Sequence, residues 1–196
     1  MYSTLQRLNH FGSISTTFIV VLLSLISLAS FLNQPVPAVA TVSVSDLVVQ
    51  RGRLQRWRAR EEDIASLKFS VKTDLTPLLT SYNTKQLYLY LTAAYTDTSG
   101  AAHEAVLWDR IITRADSTDF RAVGKGNNKP RVMRNPRLNV PDSRSHYHWR
   151  NPSGSFKTVD SANITLHYSL MPYVGILTSG IAAEAQGPVD ITYKKR

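Results

Sequence analysis

The sequence predicts a mainly β protein, with a single N-terminal transmembrane helix followed by an antiparallel β-sandwich on the far side of the membrane. Residues 11–32 carry no charge, several later segments alternate between apolar and polar residues, and none of these later segments shows a long helical period. The chain has 196 residues and no cysteine. Apolar packing and strand hydrogen bonds, rather than disulfides, must therefore hold the sandwich together.

The uncharged segment 11–32 is long enough to cross a bilayer. As a helix it would extend about 33 Å at 1.5 Å per residue, and the hydrocarbon core of a bilayer is about 30 Å thick. A cleaved signal peptide is the alternative, since Ala38-Val39-Ala40 has the small-x-small form of a cleavage site. The apolar part of a signal peptide is shorter, about 7–15 residues, so we expect a retained signal anchor.

Positive charge flanks only the N-terminal end of this segment. Arg7 lies there with the amino terminus, whereas the C-terminal flank is uncharged until Asp46. Because positively charged flanks stay in the cytoplasm, we expect residues 1–10 to be cytoplasmic. Residues 33–196 would then lie in the lumen of the endoplasmic reticulum or outside the cell, as in a type II single-pass membrane protein.

After the linker Asn33–Pro37, which contains two prolines, six segments have the alternation or composition of β-strands. In one of them leucines form one face and Tyr88 and Tyr90 the other, so we expect that strand to be central. Another places Ile164, Leu166, Tyr168 and Leu170 inward. The predicted strands are 41–45, 67–72, 86–92, 105–112, 163–170 and 189–193.

The net charge of +9 comes mostly from two regions. Five arginines between Arg51 and Arg60 are followed at once by Glu61, Glu62 and Asp63, so this first cluster can either approach anionic headgroups or pair with these acids. The second region, 115–152, is basic and rich in glycine, proline and asparagine, which predicts a flexible insertion. We expect no nucleic-acid partner, because an outward-facing domain meets little nucleic acid.

One modification site stands out. Asn163-Ile164-Thr165 is an N-glycosylation acceptor, whereas Asn151-Pro152-Ser153 is blocked by its proline. The alternation of this strand places Asn163 on the face opposite the apolar row, where a bulky glycan has room.

Catalytic, cofactor and metal sites are not predicted. His146 and His148 offer two metal ligands, but a zinc site needs three or four and no third one is recognisable. Ser169 has no recognisable base or orienting partner, which a serine nucleophile requires, and the sequence has no Gly-x-Ser-x-Gly motif and no nucleotide-binding glycine pattern.

Three blocks, residues 83–95, 105–112 and 164–177, together resemble the subunit 3 family of the eukaryotic signal peptidase complex, in its fungal form. Lys85-Gln86-Leu87 and Leu107-Trp108-Asp109 are their most specific parts. The resemblance implies a glycoprotein of the endoplasmic reticulum membrane with a lumenal β-sandwich. Such a subunit is not itself catalytic and has no cofactor. It associates with the catalytic serine protease subunit and the other subunits, which together remove signal peptides from nascent secretory proteins; the translocon is a further candidate partner.

Two other functions stay open at this stage. A membrane-anchored adhesion or carbohydrate-binding sandwich would explain the apolar segment, the glycosylation motif and the strands, but not the three blocks. A self-sufficient hydrolase would use Ser169 or another serine.

Overall fold

A computed structural model of the chain describes residues 3–36, 40–53, 61–81, 83–113 and 137–193. These residues form two helices, α1 (Thr4–Leu32) and α2 (Thr76–Thr80), and ten strands. The strands are β1 (Ala40–Gly52), β2 (Glu62–Asp74), β3 (Thr84–Thr96), β4 (Ala102–Thr113), β5 (Arg137–Arg144), β6 (Trp149–Arg150), β7 (Ser161–Pro172), β8 (Thr178–Glu184), β9 (Val189–Asp190) and β10 (Thr192–Tyr193).

Helix α1 includes the predicted segment and begins before it, at Thr4. None of its side chains is buried against the rest of the protein, and its most apolar window has a mean hydropathy of 2.2. Some of its hydroxyl groups form hydrogen bonds within the helix: Thr17 and Ser24 donate to the carbonyls of Ser13 and Val20 at 2.9 and 2.8 Å. Such internal bonds suit an apolar environment that offers no water. By length and composition, α1 is able to cross a membrane.

The strands form two sheets. The first has the order β10-β1-β2-β5, with β6 also paired to β2, and the second has the order β4-β3-β7-β8, with β9 also paired to β7. Every one of these pairings is antiparallel except that of β1 with β10. The predicted antiparallel sandwich is confirmed, and so is the central position of β3, which lies between β4 and β7.

The core lies between the sheets and is built by alternation. Leu67, Phe69 and Val71 are fully buried along β2, as are Leu87, Leu89 and Leu91 along β3. Successive side chains of a strand point to opposite faces, so each of these rows occupies one face of its sheet. Burial of each such side chain stabilises the fold by roughly 1.5–3 kcal/mol, which allows the domain to do without disulfides.

A β-bulge in β4 breaks this alternation. The register with β3 shifts between the pairs Leu91–Trp108 and Thr92–Val106, which leaves Leu107 as the additional residue. As a result, the consecutive residues Leu107 and Trp108 are both buried. The Trp108 ring meets Phe69 of the other sheet edge-on, with ring centroids 5.7 Å apart. The core-packing role predicted for Trp108 is confirmed.

The two ends of the sandwich differ in their distance from α1. Pro172 pairs with Thr84, and the β7–β8 loop that follows contacts α1, since a Cβ atom built on Gly175 would lie 3.0 Å from the Ser27 Oγ. We call this the helix-proximal end. Gly52 and Glu62 pair at the opposite, helix-distal end.

A buried carboxylate ties the helix-distal end together. Asp63 is only 3% exposed and accepts hydrogen bonds from the Ser155 hydroxyl at 2.9 Å, the Phe156 N–H at 3.2 Å and the Tyr193 hydroxyl at 3.4 Å. The Arg51 guanidinium lies 3.5 Å from its other oxygen. One side chain therefore joins the β1–β2 hairpin to the 151–157 turn and to β10.

Two expectations from the sequence need correction. The last part of the flexible insertion predicted over 115–152 is instead ordered in the first sheet, because residues 137–144 form β5 against β2 and residues 149–150 form β6. The earlier part of this prediction falls on residues 114–136, which lie outside the described part of the chain. The single last strand predicted over 189–193 is two short strands, because the chain crosses from β7 of one sheet to β1 of the other at Ile191.

Replacing Asp63 with alanine should destabilise the sandwich by about 2–3 kcal/mol, because buried donors of Ser155 and Phe156 would lose their acceptor. Chemical unfolding of the purified full-length chain in detergent, followed by circular dichroism, would measure this. Asp46→Ala is the matched control, since Asp46 is exposed on the same sheet and should change stability by no more than about 0.5 kcal/mol. Equal stability of the two variants would contradict the assigned role of Asp63.

Candidate partner interface and glycosylation site

The outer face of the second sheet carries an aromatic row. Because leucines occupy the inner face of β3, Tyr88 and Tyr90 point outward, where they stack at a centroid separation of 5.2 Å. Tyr90 also stacks on His167 of β7 at 5.1 Å. Ile111 and Ile181, which are 57% and 54% exposed, flank this row on β4 and β8. We call these five residues the aromatic face.

Hydrogen bonds to one carboxylate hold part of this face in place. The Tyr147 hydroxyl donates to Asp109 Oδ1 at 3.0 Å and the Tyr88 hydroxyl donates to Oδ2 at 3.3 Å. Burial, followed by the charge of Asp109, raises the pKa of Tyr88, and the hydrogen bond to Asp109 raises the pKa of Tyr147. Both phenols therefore stay protonated at neutral pH and act as donors.

The segment that carries Tyr147 also closes one edge of the sandwich. The Tyr147 N–H donates to the carbonyl of Leu107 at 3.1 Å, and the nearby Ser145 N–H donates to the carbonyl of Leu67 at 2.9 Å. Leu67 and Leu107 belong to different sheets. A connection between the two sheets, and one of the two donors to Asp109, thus lie inside the range predicted to be a flexible loop.

The inward row predicted for β7 is confirmed at three of its four positions. Ile164, Leu166 and Leu170 are buried. Tyr168 is only partly buried, although it packs against the core. Its ring lies across Gly180 of β8, where an added Cβ atom would come within 2.8 Å of the Tyr168 hydroxyl oxygen.

The two asparagines considered for glycosylation have opposite environments. Asn163 is exposed on β7 and pairs with Ala94 of β3. Asn151 is only 3% exposed, and its side-chain amide donates to Ser153 Oγ and to the Ser155 carbonyl, each at 2.8 Å. Asn151 is therefore a structural residue of the 151–157 turn.

The residues considered for metal binding or catalysis, His146, His148 and Ser169, have different surroundings. The His146 ring packs near Trp108 at a centroid distance of 6.0 Å, and His148 is exposed. Across the described ranges, no group of three or more His, Cys, Asp or Glu side chains is placed to hold a metal ion. Ser169 lies within β7, opposite Tyr88 and Ser179 of the adjacent strands.

The acidic residues after the first basic cluster are paired. Arg51 contacts Asp63 at 3.5 Å, Arg53 contacts Glu61 at 3.2 Å, and Arg150 contacts Glu62 at 3.5 Å. Strand β1 carries Arg51 about 36 Å from Ala40, at 3.3 Å per residue. Of the two interpretations of this cluster, the described part agrees with pairing; Arg56, Arg58 and Arg60 lie outside the described residues.

Sequence reasoning missed two features of this surface. The Tyr147–Asp109 bond joins residues 38 positions apart, and the contact of Gly175 with Ser27 joins the sandwich to α1. Neither pair is marked by a local pattern, although Asp109 and Gly175 both lie within the blocks that resemble the signal peptidase family.

Comparisons with known proteins place the chain in a family. The model of the family described as "Signal peptidase subunit" matches residues 1–192. "Signal peptidase complex subunit 3" of Saccharomyces cerevisiae is 35% identical over 143 residues, which cover 72% of this chain and 64% of the yeast protein. The proteins of the same name from Gallus gallus and Homo sapiens are 28% and 29% identical, over 76% and 59% of this chain and 71% and 53% of their own lengths.

Among solved structures, the sporulation control protein Spo0M of Bacillus subtilis is 12% identical and covers 79% of this chain and 49% of its own, with a TM-score of 0.24, which is too low to compare the folds. The family match, in contrast, takes in both α1 and the two sheets. This chain belongs to the Signal peptidase subunit family.

Proposed function

We propose that this chain is a non-catalytic subunit of the signal peptidase complex in the endoplasmic reticulum membrane, where it supports and positions the catalytic serine protease subunit. The family match over residues 1–192 carries this proposal. The sandwich agrees with it, because its two polar networks hold structure together and do not involve Ser169: Asp63 does so at the helix-distal end, and Asp109 on the outer face of the second sheet. An adhesion or carbohydrate-binding sandwich would not account for the family match.

Positioning is a useful contribution to this reaction. Signal peptides are cut close to the membrane surface, so the protease domain must stand at a fixed height and orientation. A misplacement of about 1 Å can lower a rate about a hundredfold. A sandwich attached to its own membrane helix can supply such a reference point, provided that it packs against the catalytic subunit.

The aromatic face is the surface that we assign to this contact. Aromatic and large aliphatic side chains are typical anchors of protein interfaces, and here they lie together on one face of a sheet, where Tyr88 is held by a hydrogen bond to Asp109. Asn163 lies on the same outer face, but beyond Tyr90 by four residues of β3, about 13 Å. A glycan there would cover the helix-distal part and leave the aromatic row free.

The topology follows from the same arrangement. We infer that α1 crosses the membrane with its N-terminus in the cytoplasm, because Arg7 lies on that flank. The sandwich is then lumenal, where Asn163 can receive its glycan. The translocon is a further candidate neighbour, because it delivers the substrates of the complex.

Purified catalytic subunit should cleave a preprotein more slowly without this chain than with it, because its orientation at the membrane would be lost. Initial cleavage rates in liposomes, with and without the full-length chain, would measure the effect. The Ser169→Ala variant should restore the rate as well as the unchanged chain does. An undiminished rate without the chain would overturn the positioning role, and a loss of cleavage in Ser169→Ala would favour the hydrolase.

Introducing charge on the aromatic face should weaken the complex. In the double variant Ile111→Asp and Ile181→Asp, two exposed side chains become carboxylates that would lose water on docking, so recovery of the catalytic subunit should fall tenfold or more, by about 1.4 kcal/mol per factor of ten. Affinity purification in mild detergent gives the recovery. Gln50→Asp, on the first sheet, is the control. If both variants recover the protease equally, the aromatic face is not the interface.

A glycosylation assay tests both the use of Asn163 as an acceptor and the lumenal placement of the sandwich. In microsomes, endoglycosidase should increase the electrophoretic mobility of the unchanged chain and of Thr165→Ser, which keeps the acceptor motif, but not that of Asn163→Gln. Residues 33–196 should also resist protease until the vesicles are opened. Digestion of this part in sealed vesicles would contradict the proposed orientation.

A further inference from the structure

The β7–β8 loop, Tyr173–Leu177, has the features of a membrane-contacting segment. Its side chains at 173, 176 and 177 are 55%, 68% and 62% exposed, although tyrosine, isoleucine and leucine are apolar or amphipathic. The loop lies at the helix-proximal end of the sandwich. An apolar surface beside a helix of membrane-spanning length calls for an apolar neighbour.

The loop lies beside the part of α1 that the bilayer would surround. Gly175 approaches Ser27 so closely that an added Cβ atom would lie 3.0 Å from its Oγ and 3.4 Å from its Cα. Ser27 precedes the end of α1, at Leu32, by about 7.5 Å along the helix axis. This depth falls within the 5–10 Å to which interfacial segments bury their apolar side chains.

Glycine is required at this contact. Gly175 has φ +123°, a backbone conformation that residues with a Cβ atom rarely adopt. The same absence of a side chain allows the loop backbone to touch α1. Gly175 therefore allows the loop to lie against the helix, at the level of Ser27.

The polar backbone of the loop is partly satisfied from within the protein. The Asn83 side chain binds both backbone groups of Val174: its Nδ2 donates to the carbonyl at 2.6 Å, and its Oδ1 accepts from the N–H at 3.1 Å. The Tyr173 N–H donates to the Asn83 carbonyl at 2.8 Å. An irregular segment can enter an apolar region only if such groups have partners, so Asn83 provides what insertion requires.

We propose that the Tyr173–Leu177 loop inserts into the lumenal interface of the bilayer and forms a second membrane attachment of the sandwich, next to α1. This rests on the membrane anchoring of α1 in the proposed function. One membrane helix alone does not fix the tilt of the sandwich relative to the bilayer, whereas a second membrane contact sets its height and tilt. Tyr173, at the start of the loop, suits the headgroup level, where tyrosine is enriched, and Ile176 and Leu177 suit the acyl boundary.

The absence of cysteine from the chain permits single-cysteine labelling. The full-length Ile176→Cys chain, labelled with an environment-sensitive fluorophore and reconstituted in phosphatidylcholine liposomes, should show blue-shifted emission and quenching by lipid-attached quenchers. Ile181→Cys is the matched control: Ile181 has similar exposure on β8 and lies about 13 Å farther along the chain than Leu177, so only aqueous iodide should quench it. Leu28→Cys, within α1, should be quenched from the lipid.

A second variant tests whether apolar burial drives insertion. In a Leu177→Cys chain labelled in the same way, adding Ile176→Asp should increase iodide accessibility roughly tenfold or more, because the loss of one buried aliphatic side chain shifts the equilibrium by at least that factor. Circular dichroism of this chain checks that the sandwich is intact.

The outcomes separate the possibilities. Quenching of position 176 by iodide alone would overturn loop insertion, and so would lipid quenching that appears only when anionic lipid is added, since that would point to charge rather than apolar burial. Protection from iodide that appears only when the catalytic subunit is added, without lipid quenching, would make the loop a protein contact and also overturn the proposal. Failure of lipid quenching at Leu28→Cys would instead refute the anchoring of α1.

Discussion

The architecture depends on the apolar packing between two sheets that no disulfide joins, since the chain has no cysteine. Leu67, Phe69 and Val71 from one sheet and the three leucines of β3 from the other are fully buried, and Phe69 meets Trp108 across the interface. Period-two alternation then dictates what the outer faces present. Since leucine occupies the inside of β3, Tyr88 and Tyr90 must lie outside, so the same pattern that stabilises the domain also creates its candidate interface.

The hydrogen-bond networks around Asp63 and Asp109 add polar contacts outside this apolar core. Asp63 satisfies donors from three separate segments at the helix-distal end, and Asp109 fixes two tyrosines at the outer face. A surface that binds a partner benefits from being rigid beforehand, because less conformational entropy is lost on binding. The hydrogen bonds of Asp109 serve this purpose in a chain whose proposed role is to position another protein.

The sandwich is also oriented relative to α1. Antiparallel pairing brings the β7–β8 loop and the start of β3 to one end, where Asn83 braces Val174 and Gly175 contacts Ser27. The acceptor Asn163 lies nine residues before Pro172 on β7, about 30 Å toward the other end. The loop that we propose to enter the membrane, the candidate interface and the candidate glycosylation site are thus arranged along one sheet.

The sequence by itself determined the apolar helix, the strands over 67–72, 86–92, 105–112 and 163–170, and the exposure of Asn163, because hydrophobic period and charge act locally. Only the tertiary structure decided the strand at 137–144, where Pro141 and surrounding polar residues hide a strand that is stabilised by pairing with β2. The same holds for the Tyr147–Asp109 bond and the approach of Gly175 to Ser27. These contacts join residues far apart in the chain, and their partners are set by register and packing, which no local pattern records.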